Sequence, residues 1–354
     1  MKTLTVDLPG RSYEIQMERG VLAHAGERCR SVLPRAEKLF VVTDTHVAPL
    51  YLERVRGSLE RAGFTVAVRT VPAGESAKCV EELSALWEEM MAFGLTRTDA
   101  VAALGGGVVG DLAGFAAATV LRGVDFVQIP TTLLAQVDSS VGGKVAVDLK
   151  AGKNLAGAFW QPKLVLMDPE TLDTLPQSTF MEGMAEVVKY GCIKDAAFFD
   201  FLEERPGRAA LMADMEHILY TCCDIKRNVV EQDERDTGER MLLNFGHTLG
   251  HAYELAGNYA RWSHGDAVSA GMCAAARLGE RLGITSAGTA DRLERVLAAL
   301  GLPTRIVCAP EQYAAAIGLD KKGSGHAISV ILLEEIGRAV RHPMEKDALL
   351  EELR

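Results

Sequence analysis

The apolar pattern of the first half of the chain switches repeatedly between strand-like runs and stretches with helical spacing. TLTVDL and SYEIQM alternate polar and apolar residues, and Pro9-Gly10 between them predicts a hairpin. LFVVTD is an almost unbroken apolar run, as expected of a strand covered on both faces, and a helix through Leu59 follows. FTVAVRTV predicts the next strand, followed by a helix from about Ala77 to Phe93. AVAAL then runs into Gly105, Gly106 and Gly107, FVQIP follows another helical stretch, and LVLMD closes the set. Such alternation predicts a parallel sheet wrapped by helices, an α/β domain of nucleotide-binding type over residues 1–176.

After Leu175-Pro176 the period changes. The 211–232, 240–257, 266–283 and 288–300 regions carry helical spacing, so residues 177–354 are expected to form a mostly α-helical domain. AISVILL and RAVRH predict one hairpin, turning around Glu335-Ile336-Gly337.

Composition narrows the function. A chain of 354 residues exceeds what one core usually fills, which agrees with two domains. No window approaches the ~20 apolar residues of a membrane span, and MKTLTVDLPG lacks a secretory pattern, so a cytoplasmic protein that meets no membrane is expected. The 7 cysteines show no C-x-x-C pair and read as reduced, buried thiols. A net charge of −10 argues against a nucleic-acid partner. It leaves room for a small anionic substrate met by local cations.

Three constellations carry chemistry. In AVAALGGGVVGDLAGF a strand ends in glycines and a helix begins, which lets backbone N–H groups approach a phosphate. Asp111 there either orients a ribose or caps the helix. In RMLLNFGHTLGHAYE, Arg240, Asn244, His247, His251 and Glu254 recur at steps of four, three, four and three, one polar stripe on a single predicted helix. The His pair at i, i+4 suits a metal. With His264 downstream and the Glu182, Glu186, Lys189 face of EGMAEVVKYG upstream, a mixed His and carboxylate site is expected. Spacing does not choose between Glu182 and Glu186. The third set is cationic and expected in turns: Arg122, Lys144 and Lys153-Asn154, with Lys321-Lys322 further on. Lysines beside glycines suit phosphate, and Lys144, Asn154 and Arg122 are expected to share one anion.

GGGVVGDLAGF, IPTTLLAQVDSSVGGK, GKNLAGAFWQP, GMAEVVKYG, LLNFGHTLGHAYE and HGDAV, in this order, resemble the 3-dehydroquinate synthases, enzymes of the shikimate pathway. The similarity runs from about Leu39 to about Leu333. It implies a Rossmann-like NAD-binding α/β domain, a helical metal-binding domain, a zinc ion replaceable by cobalt, and a homodimer. By this resemblance Glu186, His247 and His264 are the metal ligands. Asp44, Glu75, Lys78, Gly105, Gly106, Gly107, Asp111, Thr131, Thr132, Lys144, Lys153 and Thr174 are implied on the NAD side. Arg122, Lys144, Asn154 and His251 are implied around the substrate phosphate. Asp138, Lys189, Lys226, Arg240 and Asn244 are implied around its hydroxyls and carboxylate, with Lys321 or Lys322 closing over them. The chain departs from the family's usual pattern at Asp266 and Asp236, where a Glu is usual. The implied substrate is 3-deoxy-D-arabino-heptulosonate 7-phosphate, which loses phosphate and closes to a carbocycle while NAD is reduced and reoxidised. A metal-dependent polyol dehydrogenase, which would release NADH, is the nearest rival reading.

Overall fold

The structure is a computed structural model that describes residues 1–236, 238–258, 261–308 and 327–352. Lys321 and Lys322 lie outside the described residues. The chain divides into two compact units, Met1–Pro176 with Lys226–Glu231, and Gln177–Ile225 with Gln232–Arg354.

In the first unit, β1 (Lys2–Val6) and β2 (Tyr13–Met17) form the expected antiparallel hairpin, and α1 (Ala25–Val32) follows. Then come β3 (Lys38–Asp44), α2 (Glu53–Arg61), β4 (Thr65–Val71), α3 (Val80–Ala92), β5 (Ala100–Gly105), α4 (Gly107–Thr119) and β6 (Asp125–Pro130). A separate hairpin, β7 (Lys144–Leu149) and β8 (Gly152–Phe159), precedes β9 (Leu164–Met167). The sheet order is β1-β2-β9-β6-β5-β3-β4, parallel from β2 onward.

Strand alternation sends Leu39 and Val41 of β3 into one core, with Cys29, Val55 and Leu59 of α1 and α2. Phe40 and Val42 enter the other, with Leu83, Leu86, Leu112 and Ala116 of α3 and α4. With both faces covered, a central strand has no polar side to show, which is why β5 reads as one apolar run. Each fully buried Leu or Phe contributes about 1.5–3 kcal/mol. Helix α4 sits close because Gly114 has no side chain: a Cβ there would strike Val145 and come within 3.0 Å of the Phe126 ring.

The β7–β8 hairpin corrects the expectation of cationic turns. Lys144 opens β7, and Lys153 and Asn154 lie in β8.

After Pro176, α5 (Gln177–Lys194), α6 (Ala196–Glu203), α7 (Arg208–Ala213) and α8 (Met215–Gln232), whose Lys226–Glu231 stretch belongs to the first unit, lead to α9 (His247–Ala256), α10 (His264–Arg281) and α11 (Thr289–Ala299). Beyond them β10 (Ala327–Glu335) pairs with β11 (Arg338–Glu345), as its pattern predicted, and α12 (Lys346–Glu352) follows. Helix α10 packs on α5, α9, α11 and β10. Helix α5 is buried nearly all round, so its Glu186 and Lys189 are carried into the core.

The expected single helix over 240–257 is broken. Residues Glu239–Asn244 form a 3-10 turn, and Gly246, at φ 79, starts α9 afresh. A side chain at Gly246 would meet the Met272 backbone nitrogen and the Val268 oxygen at 2.8 Å, so the bend is where α9 presses on α10. Arg240 and Asn244 therefore do not continue the stripe of His247, His251 and Glu254.

Candidate functional site

Glu186 has no exposed surface, and three basic side chains converge on it. Its Oε1 lies 3.3 Å from His247 Nε2 and 3.5 Å from His264 Nε2, and Lys189, one turn along α5, pairs with Oε2. One ligand atom from each of Glu186, His247 and His264 lies within 4.8 Å of the other two. Among the described residues, neither carboxylate oxygen of Glu186 has an aligned hydrogen-bond donor. A buried carboxylate with an ion-pair partner but no aligned donor has its burial only partly compensated.

Atoms bound at ~2.1 Å around one ion with tetrahedral angles stand about 3.4 Å apart, so the 3.3 and 3.5 Å separations already match a shared cation. Two imidazole nitrogens and one carboxylate oxygen suit zinc or cobalt and leave a coordination position open. The residues present thus fit a divalent metal.

The electrostatics agree. Burial disfavours the charge on Glu186, but Lys189 and His247 outweigh it and hold the carboxyl well below its ordinary range. Burial and the Lys189 ammonium keep His247 toward the neutral form that a ligand needs. For His264 burial acts the same way, yet the neighbouring carboxylates of Glu186 and Glu254 outweigh it and raise the imidazolium to about 10 in the metal-free protein.

The two acids that spacing left undecided part company in space. Glu186 joins the histidines. Glu182 accepts hydrogen bonds from the His264 and Gly265 backbone N–H groups at the start of α10, and burial raises its pKa. His251, one turn beyond His247, is exposed and stands edge-on to its ring at 5.5 Å, beside the three-residue group and outside it. Arg240 is buried and donates to the Glu234 carbonyl at 2.6 Å, while Asn244 ends the 3-10 turn, half-buried. Asp266, where the family usually has Glu, forms a capping box: its backbone N–H donates to Ser263 Oγ at 3.1 Å, and its Oδ2 accepts from Ser263 N at 3.2 Å. Asp236 holds a positive φ of 62.

In the first unit several of the residues that the resemblance implies on the NAD side lie at the carboxyl ends of parallel strands. Strand β3 leads outward to β4, and β5 leads the other way to β6, so the crevice between β3 and β5 is a topological switch point, the usual ligand position in such sheets. Asp44 ends β3, Gly105 ends β5 with Gly106 and Gly107 opening α4, and Thr131-Thr132 follow β6, whose Pro130 pairs with Gly105. The Oγ1 of buried Thr131 has no hydrogen-bond partner among the described residues. Asp44 Oδ1 accepts from the His46 and Val47 amides, fixing the turn after β3.

Asp111 neither caps α4 nor faces open solvent. It pairs at 2.6 Å with buried Lys78, and burial, partly offset by that lysine, raises its pKa to about 6. Glu75 lies 3.6 Å from Lys153 and 3.9 Å from Lys78. Thr174 is exposed and its hydroxyl bonds to Tyr51, a partner that the sequence did not signal.

The cationic set is only partly assembled. Trp160, next to the Lys144–Phe159 pair, lies against Gly123 and donates from Nε1 to the Val124 carbonyl at 3.0 Å, so Arg122 and Lys144 belong to one end of the hairpin. Arg122 itself has φ 68, a strained backbone for a residue with a side chain. Asn154 lies toward the other end, its N–H bonded to Asp148 Oδ1 at 2.7 Å. Phe159 is five residue steps beyond Asn154, roughly 16 Å of strand, so one anion meets both Lys144 and Asn154 only through extended side chains. Lys226, at 4 % exposure, donates to Asp138 Oδ1 at 2.7 Å and to the Asp138 carbonyl. Those two are 88 residues apart in sequence, and no local pattern announces the pair.

Family models described as 3-dehydroquinate synthase N-terminal and C-terminal match residues 68–182 and 183–323. A 3-dehydroquinate synthase of Clostridium beijerinckii is 46% identical over 340 residues, 96% of this chain and 97% of that one. Among solved structures, a 2-deoxy-scyllo-inosose synthase complexed with carbaglucose-6-phosphate, NAD+ and Co2+ superposes with TM-score 0.90 at 25% identity, covering 100% of this chain and 99% of that one. The 2-epi-5-epi-valiolone synthase of Streptomyces hygroscopicus subsp. jinggangensis, with NAD+ and Zn2+ bound, gives TM-score 0.86 at 28% identity over 96% and 95% of the two chains.

Proposed function

Since this chain belongs to the 3-dehydroquinate synthase family and is a lyase-type cyclase of that kind, we propose that it works with NAD on residues 1–176 and a divalent metal on residues 177–354. The substrate is 3-deoxy-D-arabino-heptulosonate 7-phosphate. The observation that carries the metal-dependent reading is the convergence of Glu186, His247 and His264 around a carboxylate with no aligned donor. Relatives in fold that bear NAD+ with Co2+ or Zn2+ support it.

A bound zinc or cobalt ion supplies Lewis acidity toward substrate hydroxyls, and NAD supplies a reversible hydride acceptor that makes the neighbouring C–H acidic enough for phosphate to leave. The protein's own residues orient and neutralise. Arg122 and Lys144 bear on the phosphate. Lys226, held by Asp138, offers a fixed ammonium to a hydroxyl or carboxylate. Lys189 balances Glu186, and His251 presents an exposed imidazole beside the metal ligands. The glycine turn of β5 and α4 and the orphaned Thr131 hydroxyl take the dinucleotide. We further infer a cytoplasmic homodimer; among the described residues no helix is long and apolar enough to cross a membrane.

The test is stoichiometric. Enzyme, substoichiometric NAD+ and the heptulosonate phosphate should release many equivalents of phosphate per NAD without accumulating NADH. NADH rising in step with substrate consumed would replace this reading with that of a polyol dehydrogenase.

A further inference from the structure

An imidazole can coordinate a metal through one nitrogen only if the other holds its proton, and in His264 the two nitrogens face different acids. Nε2 lies 3.5 Å from Glu186 Oε1, and Nδ1 lies 3.4 Å from Glu254 Oε1. Glu254 is 6 % exposed. It sits seven residues after His247, two turns along the same face of α9, so one helix carries both a candidate ligand and this acid.

The backbone of His264 is already fixed from two sides. Glu182 accepts from its N–H and from that of Gly265, and the Ser263–Asp266 capping box closes the first turn of α10. What remains free is the rotation of the ring and the choice of tautomer. Glu254 is placed to settle both.

We propose that Glu254 is a positioning residue: it accepts the Nδ1–H of His264 and thereby turns the Nε2 lone pair toward Glu186 and His247. Acids in this relation to a ligating histidine typically carry 10–100-fold in metal affinity. The inference rests on the metal reading above, and its test separates the two.

Metal-free protein prepared with a chelator is titrated with Co2+, read by visible ligand-field absorbance, and with Zn2+ by competition. His264→Ala tests the metal site. Glu254→Ala tests the positioning, with Glu254→Met, similar in length and without oxygen, in its place if the alanine variant fails to fold. Glu254→Gln keeps an acceptor oxygen without the charge. Loss of the acceptor should weaken Co2+ binding about 10–100-fold and alter the band shape. Glu254→Gln should stay within about threefold of the parent, since its amide oxygen still accepts from Nδ1–H. If His264→Ala leaves Co2+ binding intact, the metal site itself is misassigned. If His264→Ala weakens binding while the acceptor-free variants match the parent in affinity and spectrum, only the role of Glu254 is overturned. A glutamine variant as weak as the acceptor-free ones also overturns it, because the acceptor would then not be what matters.

Discussion

Asp99 in the first unit and Glu186 in the second are both buried carboxylates, at 2 % and 0 % exposure. Asp99 is met by the fold itself: Oδ1 accepts from the Glu37 and Lys38 amides at 3.0 and 2.8 Å, and Oδ2 from the Thr96 amide and hydroxyl at 2.8 and 2.7 Å. Glu186 has no aligned donor and is instead crowded by an ammonium and two imidazoles. A carboxylate saturated by backbone amides is a structural clamp. One faced by two imidazole nitrogens that, when neutral, have lone pairs of their own to give is arranged for a cation that all three can share.

The comparison breaks most sharply at Glu186. Glu186→Gln keeps the volume and removes the anionic ligand, so phosphate release should fall by more than about 100-fold, beyond the loss expected of a residue behind a ligand, with the far-UV circular dichroism unchanged. A variant that retained turnover would make Glu186 a plain ion-pair partner of Lys189. Metal removal comes next. Chelation should lower the calorimetric unfolding midpoint, and Zn2+ restored to 100 times its dissociation constant should return about 2.7 kcal/mol. Mg2+, which prefers an all-oxygen shell, should not substitute. Equal midpoints with and without zinc would remove the distinction between the two carboxylates.

How far each region was legible from sequence follows from how local its causes are. Strands β5 and β9 announce themselves because both faces are covered and their side chains are all apolar, and β3 and β6 do so through apolar runs interrupted by the buried polar Thr43 and Gln128. Strand β8, GKNLAGAF, hides: it is largely exposed, and its glycines mimic a loop, although Gly157 is there because a Cβ would strike the Val145 carbonyl of the neighbouring strand. The polar stripe from Arg240 to Glu254 was visible, but its break was not, since a 3-10 turn followed by an α-helix keeps nearly the same spacing and only Gly246 marks the bend. Glu182 and Glu186 share a face of α5, and which of them meets the histidines is decided by where α10 begins, a tertiary fact. The family resemblance had named Glu186. The support by Glu254 needed coordinates, because nothing local ties a residue on α9 to the far nitrogen of a ring on α10.

The smallest expected effect lies at Asp99 and sharpens the comparison from the structural side. Burial by itself would raise the Asp99 carboxyl, but its hydrogen bonds from Thr96, Lys38 and Glu37 outweigh burial and lower it below its ordinary value of 3.8. A carboxyl depressed in the folded state contributes stability that is fully present above the unfolded value and is lost as the pH falls through the folded one. Asp99→Asn keeps one oxygen for the Glu37 and Lys38 amides but turns an NH2 toward the Thr96 amide, leaving a buried donor unmatched at a cost of about 1–3 kcal/mol. The midpoint gap between parent and variant should therefore be constant from neutral pH down to about pH 5 and narrow only below about pH 4, where the carboxyl protonates in the unfolded parent but still resists protonation in the folded one. Added zinc should leave that gap unchanged, because this clamp holds no metal. A gap that widened toward acid, or one that closed on adding zinc, would show that the Asp99 carboxylate is not the self-contained clamp its four donors describe.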